Sequence, residues 1–171
     1  MALIMGAGMA HASSLDQVIS SIRLRDAVCA NCEFFGVQFG NALVPGAELY
    51  RVSTTDFFPH PEWLAAIEDE KVYVFELSQL SVWNEWIRKQ KVDLSTSNLS
   101  KHDQWLSMFL LAHRSTSRLI PVSAGKLFSP KRVKDAWQGS FRSRDAFGWI
   151  KNWNVTYNDK GEVLALEEFT P

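Results

Sequence analysis

Two cysteines in 171 residues are too few for a disulfide framework. Their scarcity points to a reducing compartment, and the sequence predicts a cytoplasmic protein. No apolar run reaches the roughly 20 residues that a membrane-spanning helix needs, so no transmembrane segment is expected. A phosphate-binding P-loop is missing as well. Around Gly125-Lys126 it would require a glycine five positions before Gly125 and Ser or Thr after Lys126, where Ile120 and Leu127 stand. Residues 1–13 form an apolar segment in which Ala10-His11-Ala12 has the small-residue pattern of a processing site, without the basic residues that normally precede one. Export or membrane association through a targeting remnant is the alternative localisation, and residues 14–171 are expected to make one compact domain.

Metal chemistry is thinly supported. Cys29-Ala30-Asn31-Cys32 is half of a tetrahedral zinc site, and His11, His60, His102 and His113 complete it at no standard spacing. The two cysteines are therefore expected to be small core residues. Asp56, His60 and Glu62 fall close enough together to hold a divalent ion, but an acid at a helix start explains Glu62 equally well. No metal ligand is assigned, and a divalent metal stays open as a cofactor.

Aromatic residues are abundant: 7 Trp, 11 Phe and 3 Tyr. The net charge of −1 hides a segregation by sign. Residues 1–100 carry 7 Lys/Arg against 12 Asp/Glu, residues 101–151 carry 10 against 3, and residues 152–171 carry 1 against 4. Such asymmetry points to an anionic partner, nucleic acid above all, if folding keeps the cations together. The stretch from Ser129 to Trp153 concentrates six Lys/Arg and five aromatic rings.

Apolar spacing predicts helices over residues 14–25, 82–91 and 100–113. Two more are expected: one from Pro61 through "EWLAAIEDE", and one capped by Ser129 with Pro130 in its first turn and Gly139 as its stop. "EFFGVQFG", "ELYRVS", "KVYVFEL" and "SRLIPVS" read as strands. "WNVTYNDKGEVLALEEF" reads as a hairpin around Asn158 to Gly161. The expected fold class is α+β, with about five helices and a mixed, largely antiparallel sheet.

The function this pattern implies is binding of nucleic acid or another polyanion through a basic, aromatic-rich C-terminal face, with nuclease activity as its catalytic extension. Lys126, Lys131, Arg132, Lys134, Arg142, Arg144 and Lys151 are the expected phosphate contacts, and Trp137 and Trp149 the expected stacking platforms. Lys131, Arg132 and Lys134 would sit at a helix N-terminus, where a phosphate also binds. His113 and Arg114 are the candidate catalytic pair, transferring a proton and stabilising a leaving phosphate. The alternative is a non-catalytic inhibitor or adaptor that docks a protein partner.

A third reading comes from resemblance. "ELYRVSTT" is similar to the strand that opens ADP-ribosyltransferase toxins, which implies Arg51 as a nicotinamide-cofactor contact and Glu162 as the late catalytic acid. In that family the Ser-Thr motif lies on a later strand, whereas Ser53 to Thr55 follow Arg51 directly.

Overall fold

The computed structural model describes residues 13–25, 29–40, 42–56, 62–76, 79–112, 118–119, 130–144 and 150–170. In chain order these residues form α1 (Ser14–Arg25), β1 (Phe34–Gln38), β2 (Glu48–Thr54), β3 (Glu62–Glu68), β4 (Lys71–Val74), α2 (Leu80–Lys89), α3 (Leu99–Ala112), β5 (Arg118–Leu119), β6 (Lys131–Val133), β7 (Ala136–Arg144), β8 (Ile150–Tyr157) and β9 (Val163–Phe169). Strands β1 to β4 make an antiparallel sheet in sequential order. The second sheet, also antiparallel, runs β5-β7-β8-β9, with β6 pairing on β7.

The expectation of about five helices and one mixed sheet is therefore corrected: the described residues hold three helices and two antiparallel sheets. The segment after Pro61 is β3, and its reading as a helix failed for a physical reason. Trp63, Leu64, Ala65 and Ala66 are all fully buried, because both faces of this strand are covered. Trp63 and Ala65 pack under α1, while Leu64 and Ala66 join the core on the opposite side. A strand buried on both faces shows a continuous apolar run with no alternation to betray it. Its acidic end, Asp69 and Glu70, takes φ of 47° and 63°, which turns the chain tightly into β4.

The second correction falls on the basic segment. Lys131, Arg132 and Lys134 do not open a helix. Lys131–Val133 is β6, Lys134 turns the chain with φ 56°, and β7 follows. Gly139 is not a helix stop but a buried mid-strand position, where an added Cβ would meet Leu106 at 3.6 Å. The positive helix end expected to hold a phosphate is accordingly not there.

The three remaining helices follow the sequence closely. α1 is capped by Ser13: its Oγ accepts from Asp16 N–H at 3.2 Å, and Asp16 Oδ2 accepts from Ser13 N–H at 3.2 Å. Asn98 caps α3, its Oδ1 accepting from Ser100 N–H at 3.1 Å. α1 lies on one face of the first sheet, burying Val18 and Ile22 against Val52, Trp63 and Val74. The larger core joins the other face of that sheet, α2, α3 and the second sheet. Within it Trp83, Trp86, Trp105, Phe75 and Phe109 meet edge to face, tilted or stacked, with centroids 5.0 to 6.0 Å apart.

The tip of the β8–β9 hairpin is held between the two helices. Gly161 carbonyl accepts from the indole N–H of Trp83 on α2 and of Trp105 on α3, each at 3.2 Å. The Asn84 amide pairs with the Val163 backbone as a neighbouring strand would, donating at 2.9 Å and accepting at 2.8 Å. That end of the second sheet is thus tied to both helices.

Candidate functional site

The register of the second sheet sorts its side chains into two faces, because paired residues in an antiparallel ladder share a side. One face carries Trp137, Phe141, Val155, Tyr157 and Val163, all buried in the larger core. On the other face, Lys131, Gln138, Thr156 and Ala165 form one cross-strand row. Ser140, Asn154 and Glu167 form the next, followed by Arg142, Asn152 and Phe169. Arg144 occupies the next register position of the same parity, opposite Ile150. Among the described residues, neither buried hydrophobic cluster draws a member from this second face.

Its chemistry is mainly that of amides, hydroxyls and cations, with the Glu167 carboxylate in the row of Ser140 and Asn154 and the exposed Phe169 and Ile150 toward the far end. Ser140 Oγ donates to Asn154 Oδ1 at 2.6 Å, and Arg142 Nε donates to Asn152 Oδ1 at 3.0 Å. The second bond orients the guanidinium, whose two terminal nitrogens meet no acceptor among the described residues. Lys131 is exposed at one corner, and Lys134 is exposed on the neighbouring turn.

The expected phosphate contacts do not all share this face. Arg132 pairs across with Trp137 and so lies on the core side, at its rim. There it forms a two-pronged ion pair with Asp159 and rests over the Trp137 ring at 5.3 Å. Lys151 also has core-side parity and bonds Glu168 at 3.1 Å. Both are neutralised by carboxylates from the acidic C-terminal stretch. Trp137 lies on the core side: it is 6% exposed, its ring centroid lies 4.0 Å from that of His102, and its Nε1 donates to Asp159 at 2.9 Å. A ring so engaged offers no platform to a base. His113, Arg114, Lys126 and Trp149 lie outside the described residues, as does the side chain of Arg144.

Asp159 thus serves structure. The Arg132 guanidinium beside it, helped by the Trp137 indole, holds its carboxyl below the usual carboxylate range. A depressed folded value contributes stability that is present above the unfolded value near 4 and lost as pH falls through the folded one. In Asp159→Asn, the loss of stability as pH falls below about 4 should therefore be less steep. The pair is partly exposed and screened, so the change should be small, and an acid titration followed by tryptophan fluorescence would detect it.

His102, which the sequence offered only as a partner at no standard spacing for the Cys29/Cys32 pair, is fully buried. Its Nε2 faces the Thr96 carbonyl at 3.0 Å and must donate there; in the neutral ring Nδ1 is then free to accept from Tyr157 O–H at 3.0 Å. The signal was present in the spacing, since His102, Trp105, Leu106 and Phe109 form one helical stripe.

The other candidate groups are spoken for. Arg51 bonds Glu62 at 2.6 Å on the first sheet, while Glu162 bonds Arg88 at 2.8 Å and Asn158 at 2.8 Å on the second. Asp56 accepts from Glu33 N–H at 2.6 Å and Thr54 Oγ1 at 2.9 Å, and His60 is outside the described residues. Among the described residues no group of three or more His, Cys, Asp or Glu is placed to hold a metal ion, and no helix is long and apolar enough to cross a membrane. A cleft of about 690 Å³ beside the first sheet is lined by Glu48, Glu68, Asp69 and Glu70, the wrong sign for a polyanion. The chain matches no protein-family model, no curated protein and no solved structure.

Proposed function

We propose that the protein binds nucleic acid through the outer face of its second sheet. The observation that carries this reading is the cross-strand register, which aligns Lys131, Arg142 and the Arg144 position on one side with Gln138, Ser140, Asn152, Asn154 and Thr156 between them. Cations neutralise backbone phosphates, and amides and hydroxyls bond phosphate and sugar oxygens without reading sequence. The described rings of the segment, Trp137, Phe141 and Trp153, have core-side parity, which favours backbone contact over base stacking. The reading is for binding, and no hydrolytic step is assigned.

Fluorescence anisotropy with a labelled duplex, across a salt series, tests it. The parent should bind with an affinity that falls steeply as salt rises, because counterion release drives phosphate binding. Arg142→Glu/Arg144→Glu should weaken binding about tenfold or more and reduce the log–log salt slope by about 2. Lys89→Glu, on the exposed side of α2, should leave both unchanged. Equal binding by the parent and the double variant would reject the face.

Docking of a protein partner is a second reading with its own observation. Phe35 and Val37 are 50% and 63% exposed on the edge strand β1, an arrangement that invites pairing with another chain. A parent protein that ignores nucleic acid at low salt would transfer attention to that edge.

A further inference from the structure

The link between α1 and β1 brings Cys29 and Cys32 together. Cys32 N–H donates to Cys29 carbonyl at 3.2 Å, closing a tight turn of four residues. Such a turn holds its first and fourth Cα atoms within about 7 Å, which overlaps the range of about 4.4 to 6.8 Å that a disulfide requires. Both side chains face the same small core, under α1, and both are thiols.

The surroundings make this turn a junction. Arg23 on α1 donates from Nη2 to the Cys32 carbonyl at 3.2 Å and lies over the Phe34 ring at 5.4 Å. From the far side, Asp56 gathers the Glu33 N–H, the Thr54 hydroxyl and the Cys32 thiol around one carboxylate. Whatever changes at Cys32 is therefore felt by α1 through Arg23 and by the end of β2 through Asp56.

We propose that Cys29 and Cys32 form a reversible dithiol/disulfide couple that sets how firmly α1 is tied to the first sheet. The oxidant is a small-molecule disulfide such as oxidised glutathione. One cysteine thiolate attacks a sulfur of that disulfide, breaking its S–S bond, forming a mixed disulfide and releasing one glutathione thiolate. The second cysteine, deprotonated, then attacks the protein sulfur and displaces the other glutathione. Two electrons and two protons pass from the pair to the oxidant, leaving one intramolecular S–S bond and two reduced glutathione molecules. Bridging would remove the Cys32 S–H donor from Asp56 and constrain the turn whose Cys32 carbonyl Arg23 holds. The transition needs access to a buried pair, so it proceeds through local opening of α1.

Equilibrating the full chain in glutathione buffers of graded potential, quenching with an alkylating reagent and reading intact mass tests the couple. The expected result is that both alkylation sites vanish together, with loss of two hydrogens, and return on reduction. Hydrogen exchange on the same samples should show greater protection across Ser14–Arg25 in the oxidised form than in the reduced form. A Cys29→Ala/Cys32→Ala chain should show no dependence of that protection on potential. Thiols that stay alkylatable throughout, a single stable glutathione adduct, or disulfides only between chains would each overturn the proposal. A disulfide that forms without altering α1 protection would overturn the proposed effect on α1.

Discussion

Gly161→Ala is expected to lower the stability of the protein by about 3 kcal/mol or more, visible in urea as a midpoint shift of roughly 1 to 2 M. Two costs coincide at this position. Its φ of +78° lies in the left-handed region, where a side chain is strained. A Cβ there would also stand 2.6 Å from Trp105 Nε1 and 3.3 Å from Ile87 Cγ1. The indole cannot retreat cheaply, because it stacks on Tyr157 at 3.8 Å and on Phe109 at 5.3 Å. Moving the turn instead would pull the Gly161 carbonyl from both Trp83 and Trp105, leaving two buried donors without an acceptor. A loss below about 1 kcal/mol would mean that the hairpin tip is looser than this pinning implies.

That pinning bears on the proposed interface. The turn reaches α2 through Asn84 and Arg88, and its Asp159 carbonyl accepts from Leu94 N–H at 2.8 Å. A sheet held so firmly at one end presents its outer rows at fixed spacing, which is what a phosphate-contacting surface requires if cations are to meet successive phosphates without an ordering cost. Gly161→Ala should accordingly reduce nucleic-acid binding only in proportion to unfolding, while Arg142→Glu/Arg144→Glu should reduce it in a folded protein.

Much of this arrangement was legible in the sequence, and the remainder was obscured for local reasons. Helices α1, α2 and α3 declared themselves by apolar residues at helical spacing, and the β8–β9 turn by Asn158 and Gly161. β3 was hidden because Trp63 to Ala66 are covered on both sides. β7 was hidden by Gly139, which mimics a helix stop but sits mid-strand beside Leu106 and Val155. A period of two was nevertheless there: Trp137, Gly139 and Phe141 alternate with Gln138, Ser140 and Arg142, as Trp153, Val155 and Tyr157 do with Asn152, Asn154 and Thr156. Recognising it would have divided the cations between the two faces. Charge density along the chain could not make that division, because Arg132 and Lys131 are adjacent in sequence and opposite in direction. The compensating acids, Asp159 in the β8–β9 turn and Glu168 on β9, meet their partners only on folding.

Tyr157→Phe is expected to cost about 2 kcal/mol at neutral pH and to change the response to alkali. Tyr157 is fully buried, and its hydroxyl reaches only inward, to His102 Nδ1 at 3.0 Å. Removing the hydroxyl strands a buried ring nitrogen at a site walled by Trp105 and Trp137. Burial, with the nearby negative charge of Asp103 adding to it, pushes the Tyr157 hydroxyl well above the ordinary tyrosine value. Because the folded value is raised, the associated stability is fully present below the unfolded value near 10 and is lost as pH climbs beyond it, where the unfolded chain releases the proton that the folded one keeps. The parent should therefore lose stability progressively above about pH 10, by up to roughly 1.4 kcal/mol per pH unit from this group, and the Phe variant should show a correspondingly flatter alkaline limb. Urea unfolding at several pH values from neutral to strongly alkaline measures both effects. Parallel curves for the two proteins would show that Tyr157 ionises as readily in the fold as outside it, and that the His102 bond does not enclose it.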